Sequence, residues 1–365
     1  MTTIFMTGFP GFLGSELVRR LLDRYPPDVT LTCLIQQKFR DLALARIAQI
    51  ENGQPDWDGR IQLIEGDITQ PNLGLTATAW AELQQETLEV YHLAAVYALG
   101  VPRELALRVN VDGTRHVLDF AAGCPHLQRF QYVSTCYVSG RHAGEFRESD
   151  LQVGQSFNNF YEETKYLAEI EVQQRMQAGM PATIYRPGIV VGHSQTGETQ
   201  KYDGPYYVFQ WILRQPRIAL MPVTGDVGHA RVNLVPSDFV IDAIDVLSAQ
   251  EKSVGQVYQL SDPAPLTGAD ILDLVAEISG KRIIQLPLPA WLAKGALKYV
   301  PGVFALIRIE PALIDYFTLP TRYLCDNTLR DLAGSGVACP PFGSYLRTLL
   351  NYMQAHPDIS ADAMI

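Results

Sequence analysis

The sequence is poor in cysteine, with five in 365 residues: Cys33, Cys124, Cys136, Cys325 and Cys339. The number is odd, the spacing is scattered, and three fall in apolar stretches. A disulfide framework is therefore excluded as the basis of the fold, and a reducing, cytoplasmic setting is expected. Basic excess is also missing, because 29 Lys and Arg stand against 39 Asp and Glu for a formal net charge of -10. That balance repels a phosphate backbone, and no local cluster of cations reverses it, so no nucleic-acid partner is expected. There is no low-complexity tract and no repeat period. No set of His, Cys, Asp and Glu has metal-ligand spacing, and His142, His193 and His229 are isolated, so no metal is expected. The opening MTTIFMTGFPG lacks a charged region followed by an apolar core, and no secretory leader is expected there. The most apolar late segment, Leu286 to Leu319, is broken by Pro287, Pro289, Pro301, Pro311 and several charges. It cannot form a continuous membrane span; a peripheral membrane contact and the wall of a lipophilic pocket are the two roles left to it.

What remains is an ordinary globular composition, 47% hydrophobic and 19% charged, at a length that suits a main domain with a smaller one appended. Short β-branched runs alternate with helical stretches through the first half, the pattern of βαβ units and a parallel α/β sheet. Strands are predicted near Thr3–Thr7, Val29–Ile35, Ile61–Gly66, Val90–Ala94, Arg129–Ser134, Ala182–Arg186 and Gln256–Ser261. Leu13, Leu17, Val18, Leu21 and Leu22 recur at helical spacing after the first strand, and helices are also predicted over Thr114 to Ala122 and Tyr161 to Met176. After Arg186 the alternation weakens. From Leu266 the chain reads as mostly helical, with a helix over Gly268–Gly280. Residues 1–190 and 229–262 are assigned to a cofactor-binding domain, and 191–228 and 263–365 to a smaller, mainly helical substrate-binding cap.

Gly8, Gly11 and Gly14 fall between the first strand and the first helix, where glycines allow a tight turn and a close approach of the backbone to a pyrophosphate. The second strand ends in Leu34-Ile35-Gln36-Gln37-Lys38-Phe39-Arg40. A carboxylate there would bind the ribose 2′-hydroxyl of NAD; instead Lys38 and Arg40 offer cations for the 2′-phosphate of NADP(H), with a solvated basic loop and NAD(H) as the alternatives. Tyr161 and Lys165 lie one turn apart on one helix face. An ammonium beside a phenol is expected to lower its pKa from ~10 and make Tyr161 a general acid or base. Ser134-Thr135 closes a strand just upstream, where a hydroxyl can bond a substrate oxygen. Cys136 follows without an obvious base and reads as a packed strand-end cysteine rather than a nucleophile. Tyr202, Tyr206, Tyr207, Phe209 and Trp211 either line an apolar pocket or form the core of the cap.

In order along the chain, TGFPGFLG, HLAA (His92–Ala95), RVNVDGT (Arg108–Thr114), VSTCYVSG (Val133–Gly140), YEETK (Tyr161–Lys165) and YRPGIVVG (Tyr185–Gly192) resemble the motifs of an extended short-chain dehydrogenase/reductase. TGFPGFLG and FNNFYEETKYLAE are most similar to the male-sterility group, which reduces fatty acyl and carrier-bound thioesters. The resemblance implies a Rossmann fold with a doubly wound parallel sheet. It implies Thr135 as hydroxyl donor, Tyr161 as acid/base, Lys165 as the residue that tunes it and holds the ribose, and Asn110 as support for the proton relay. It further implies that Asp67 approaches the adenine and that Ala94 and Ala95 pass under the cofactor. Thr7, Phe9, Phe12, Leu13, Ile68, Leu93, Ser134, Pro187, Gly188 and Ile189 are expected to bind the cofactor as well. Gln36 departs from the Arg common in acyl and carrier-thioester reductases. A homodimer through the helices beginning near Asp112 and Tyr161 is implied by the same resemblance.

The function expected is an NADPH-dependent reductase of a lipophilic aldehyde, ketone or acyl thioester. A sugar-nucleotide epimerase or dehydratase with retained cofactor is the alternative, although Cys136 and Tyr137 stand where dehydratases carry carboxylates. A scaffold protein that has lost the chemistry would be expected to lack Tyr161 or Lys165, and both are present.

Overall fold

The structure, a computed structural model, describes residues 2–98, 100–224, 227–289, 292 and 320–360. The first half alternates strictly: β1 (Thr2–Thr7), α1 (Phe12–Arg24), β2 (Val29–Ile35), α2 (Arg40–Glu51), β3 (Ile61–Glu65), α3 (Ala77–Glu86) and β4 (Thr87–His92). There follow α4 (Arg103–Ala106), a π-helical turn over Leu107–Asp112, α5 (Gly113–Ala122), β5 (Arg129–Val133), β6 (Gly144–Phe146), α6 (Phe160–Gln177), β7 (Ala182–Pro187) and β8 (Ile189–Val191). The chain continues with α7 (Pro205–Arg214), β9 (Ile218–Val223), β10 (Leu234–Pro236), α8 (Ser237–Ser248), β11 (Val257–Leu260), α9 (Gly268–Ser279) and β12 (Arg282–Pro287). Beyond the undescribed stretch lie β13 (Thr321–Tyr323), α10 (Asp326–Leu332) and α11 (Phe342–Ala355).

Seven strands form one sheet in the order β11-β7-β5-β4-β1-β2-β3, every pairing parallel. These are the seven strands expected from the sequence. The order runs outward from β1 in both directions, which makes the sheet doubly wound and opens a crevice at the carboxyl ends of β1 and β4. Strand residues alternate between two cores, as the period of two requires. Ile4 and Met6 pack with Leu17, Val18, Leu21 and Leu22 of α1 and with Val240 and Ile244 of α8. Phe5, between them, packs with Val117 and Phe120 of α5 and Ala168 and Val172 of α6 on the opposite face. Cover on both faces explains why these strands are nearly continuous apolar runs.

A third cluster lies apart from the sheet, built from α7, α9 and α11 around Tyr202, Tyr206, Phe209, Ile212, Leu272, Val275, Tyr345, Leu346 and Leu349. Helix α9 begins in a capping box between Thr267 and Asp270 and ends at Gly280, whose φ of 66° is left-handed. Among the described residues from Leu266 on, most of the regular structure is helical, in α9, α10 and α11. Two short strands accompany these helices: Arg282–Pro287, with its β-branched Ile283 and Ile284, pairs in parallel with β9, and Thr321–Tyr323 pairs with β6. Helix α10 packs against β11 and α8 rather than with α9 and α11, and the Tyr258 hydroxyl donates to Asp331 at 2.9 Å. Most of the late apolar segment, Leu286 to Leu319, lies outside the described residues. Among the described residues, no helix is long and apolar enough to cross a membrane.

Candidate active site

A cleft of about 1720 Å³ opens at the switch point of the sheet. It runs from the glycine loop and the ends of β2 and β3, over β4, to the ends of β5 and β7, and is closed on the far side by residues around α7. The residues expected to hold a cofactor meet there: Thr7, Gly8, Phe9, Gly11, Phe12, Leu13 and Gly14; Gln36 and Lys38; Asp67 and Ile68; Leu93, Ala94 and Ala95; Ser134, Pro187, Gly188 and Ile189. Thr135, Tyr161 and Lys165 line the same cleft.

The loop at Gly8 can be made only by glycine. Its φ is +97°, and a Cβ there would stand 2.8 Å from the Leu93 Cβ and 2.9 Å from the Ala94 nitrogen. A Cβ on Gly14 would come within 2.5 Å of the Gly8 oxygen. This packing brings the first turn of α1 to the cleft edge, and no side chain caps the helix start. The orphan N–H groups of that turn fit the pyrophosphate of a dinucleotide. His92 secures the floor: its imidazole bonds Thr7 at 2.7 Å and Thr114 at 3.0 Å. Burial holds it neutral, with a pKa pushed down to about 3.

Beside the ends of β2 and β3, Gln36 donates to Asp67 at 3.0 Å, and Asp67 also accepts from the Thr69 amide at 2.8 Å. Lys38 borders the cleft with its ammonium 4.9 Å from the Phe39 ring centroid. Arg40 departs from expectation: it is not among the residues lining the cleft, and its guanidinium is paired with Glu65 at 2.6 Å. As the first residue of α2, its side chain finds the carboxylate at the end of β3 instead.

At the other end, the Lys165 ammonium donates to the Tyr132 hydroxyl at 2.9 Å and the Val133 carbonyl at 2.8 Å, and lies 4.4 Å from the Tyr132 ring centroid. Burial lowers its pKa to about 7, opposed by the Glu169 carboxylate. Burial likewise pushes the Tyr161 phenol up to about 12, against the pull of a hydrogen bond with Thr135. The expected lowering of the phenol is therefore not what this arrangement produces. Lys165 and Tyr161 share a helix face, but the ammonium is engaged by β5, and burial is the largest influence on the phenol.

Asn110, buried in the π-helical turn, is not among the cleft-lining residues. Its side chain bonds both backbone groups of Val96, at 2.8 and 2.9 Å, and the Thr164 hydroxyl at 2.9 Å. It clamps the loop after β4 to α6. Cys136 is buried, its thiol donating to the Arg186 carbonyl at 3.0 Å, and burial raises its pKa, so it stays a thiol.

The far wall was not legible as a site. Tyr207, Gln210 and Arg214 present one face of α7 to the cleft, joined by Lys201 and Asp203 and by Pro357–Ser360, while Tyr97 lines the cleft from the loop after β4. The aromatic group divides: Tyr202, Tyr206 and Phe209 are core, and Tyr207 borders the cleft. The spacing of Tyr207, Gln210 and Arg214 along a helix was available in the sequence. Nothing marked residues 357–360, which are returned to the cleft by a bond from the Tyr202 amide to the Ser360 carbonyl at 3.1 Å.

A glycine loop at a helix start, a doubly wound sheet and a Thr, Tyr and Lys group across the cleft define an NAD(P)-dependent oxidoreductase of the extended short-chain dehydrogenase/reductase class. The family described as "Male sterility protein" matches residues 6–244, and the chain belongs to it. It is 30% identical over 298 residues to a linear gramicidin synthase of Brevibacillus parabrevis, covering 79% of this chain and 6% of that protein. It is 28% identical over 275 residues to fatty acyl-CoA reductase wat of Drosophila melanogaster, covering 66% of this chain and 53% of that one. Its structure resembles the terminal R domain of the myxalamid PKS-NRPS biosynthetic pathway, with a TM-score of 0.82 and 27% identity over 98% of this chain and 92% of that one. The chain thus spans only part of the length of these two curated relatives.

Proposed function

We propose that this chain uses NADPH to reduce the carbonyl of a lipophilic aldehyde, ketone or acyl thioester. The observation that supports this most strongly is the convergence of Thr135, Tyr161 and Lys165 on one cleft with the glycine loop. A nicotinamide dinucleotide held by the glycine loop would supply the hydride. Thr135 donates a hydrogen bond to the substrate oxygen, and Tyr161 gives that oxygen its proton as the carbonyl carbon is reduced. A phenol whose pKa lies near 12 is fully protonated at neutral pH, which suits an acid that must deliver a proton. Lys165, held toward the cleft by Tyr132 and Val133, would orient the ribose. With a thioester the same addition expels a thiol and leaves an aldehyde.

Lys38 is the residue assigned to the 2′-phosphate, which supports NADPH over NADH. Residues 1–190 and 229–262 would form the cofactor domain, and 191–228 with 263–365 the cap, α10 excepted, since it packs on the sheet. A dehydratase would need acids after Thr135, where Cys136 and Tyr137 are buried. The test is deuterium transfer: with NADPH deuterated at the nicotinamide C4 and a long-chain aldehyde, the alcohol should gain one deuterium by mass spectrometry. Products without deuterium, or isomerised sugar nucleotide instead, would overturn the reading.

A further inference from the structure

Tyr97 belongs to the loop that follows β4, on the sheet side of the cleft, whereas Lys201 and Asp203 belong to the segment leading into α7, on the opposite side. The Lys201 ammonium lies 4.4 Å from the Tyr97 ring centroid and 2.6 Å from an Asp203 oxygen. A lysine in an open cleft ordinarily extends into water, yet the side chain of this one is only 15% exposed. The two walls are thus joined by a cation over an aromatic face, with a carboxylate fixing the cation from behind. All three residues line the cleft that holds Thr135 and Tyr161, and the Tyr97 phenol is close enough to Tyr161 to act on its ionisation.

We infer that Tyr97, Lys201 and Asp203 form a latch across the substrate side of the cleft and set how much bulk is admitted beside the reacting carbonyl. The Tyr97 ring, held flat under Lys201, occupies space that a branch next to the carbonyl would need. A linear chain passes it; a branched chain must displace the contact. Because the latch joins side chains from two walls, removing either partner releases the other, so Tyr97 and Lys201 should act on selectivity as one unit.

The inference rests on the reductase reading, and the test separates the two. Octanal and 2-ethylhexanal are isomers that differ in the branch beside the carbonyl. Tyr97→Ala and Lys201→Ala should each raise the kcat/KM ratio of 2-ethylhexanal to octanal about tenfold, within the range that small apolar groups produce in enzyme pockets. Tyr97→Phe and Lys201→Arg, which keep the ring and the cation, should stay within about twofold of wild type, and the NADPH Kd of all four should be unchanged. Independently of turnover, acetylation of Lys201 by an N-hydroxysuccinimide ester, followed by mass spectrometry, should be several times faster in Tyr97→Ala than in wild type. Equal labelling rates, or an unchanged ratio in both alanine variants, would overturn the latch. Failure of wild type to reduce either aldehyde would overturn aldehyde reduction instead, and labelling would still decide whether the latch exists.

Discussion

The Arg186 guanidinium and the Glu169 carboxylate meet at 2.6 Å with neither side chain exposed to solvent. Glu169 also accepts the Ser134 hydroxyl at 2.5 Å and the Gln173 amide at 3.1 Å. Arg186 reaches on to the Asp150 carbonyl at 2.8 Å. One ion pair therefore ties α6, which carries Tyr161 and Lys165, to the ends of β5 and β7, beside Thr135.

A buried pair of this kind is most costly when only one partner is removed, because the other charge is left unpaired. Glu169→Gln and Arg186→Met are each expected to lower stability by about 3–5 kcal/mol, measured by urea unfolding. A change below ~1 kcal/mol would mean that solvent reaches the pair.

The pH dependence of stability follows from Lys165. Its folded pKa, about 7, lies below the unfolded value of ~10.4. Between these values the unfolded chain binds the extra proton, so stability should rise with pH from about 7 towards 10. Below 7 the full penalty for burying the ammonium is present. Tyr161 acts oppositely only at higher pH, since its folded value of about 12 lies above the unfolded ~10. The cofactor-free protein should show this rising limb in chemical denaturation, and Lys165→Met should flatten it. An identical slope in the variant would assign the effect elsewhere.

Lys38 and Arg40 should separate by cofactor. Lys38→Ala is expected to weaken NADPH binding about tenfold and NADH binding little, a difference of ~1.4 kcal/mol, as for loss of one charged hydrogen bond. Arg40→Ala, whose guanidinium is held by Glu65, should shift the NADPH Kd less than about threefold. Fluorescence titration of both variants with both cofactors measures this. A larger effect at Arg40 would show that it leaves Glu65 when the phosphate binds.

Gly14→Ala would place a methyl 2.5 Å from the Gly8 carbonyl oxygen. The turn must shift, and NADPH affinity is expected to fall at least tenfold while the circular dichroism spectrum stays that of a folded α/β protein. Retained affinity would show that the turn can give way without disturbing the helix start.

The sheet was legible because its strands are short apolar runs separated by helices of regular spacing, and the glycine loop because few residues allow that turn. Tyr161, Lys165 and Thr135 stand out by motif and spacing, and the structure places them on one cleft. Three features were not legible. The Arg40 pairing depends on Glu65, brought near by the pairing of β2 with β3. The raised Tyr161 pKa depends on burial, which the helical spacing does not reveal. The contact of Lys201 on the far wall with Tyr97 joins segments a hundred residues apart and leaves no periodic signal. Arg282 and Gln285 break the apolar residues of β12, and its residues are exposed or half-buried, so the strand leaves little signal of a buried element in the sequence.

The proposed chemistry turns on Tyr161 as the proton donor in an NADPH-dependent carbonyl reduction. The most direct test follows the loss of NADPH absorbance with long-chain aldehydes, acyl-CoAs and aromatic aldehydes, with NADH in parallel, for the wild-type protein and for Tyr161→Phe. Wild type should turn over with a preference for NADPH, and Tyr161→Phe should lose at least about 100-fold in kcat with the NADPH Kd unchanged. Normal turnover by Tyr161→Phe, or a wild-type protein that binds the cofactor tightly and oxidises none of it with any of these substrates, would contradict that role.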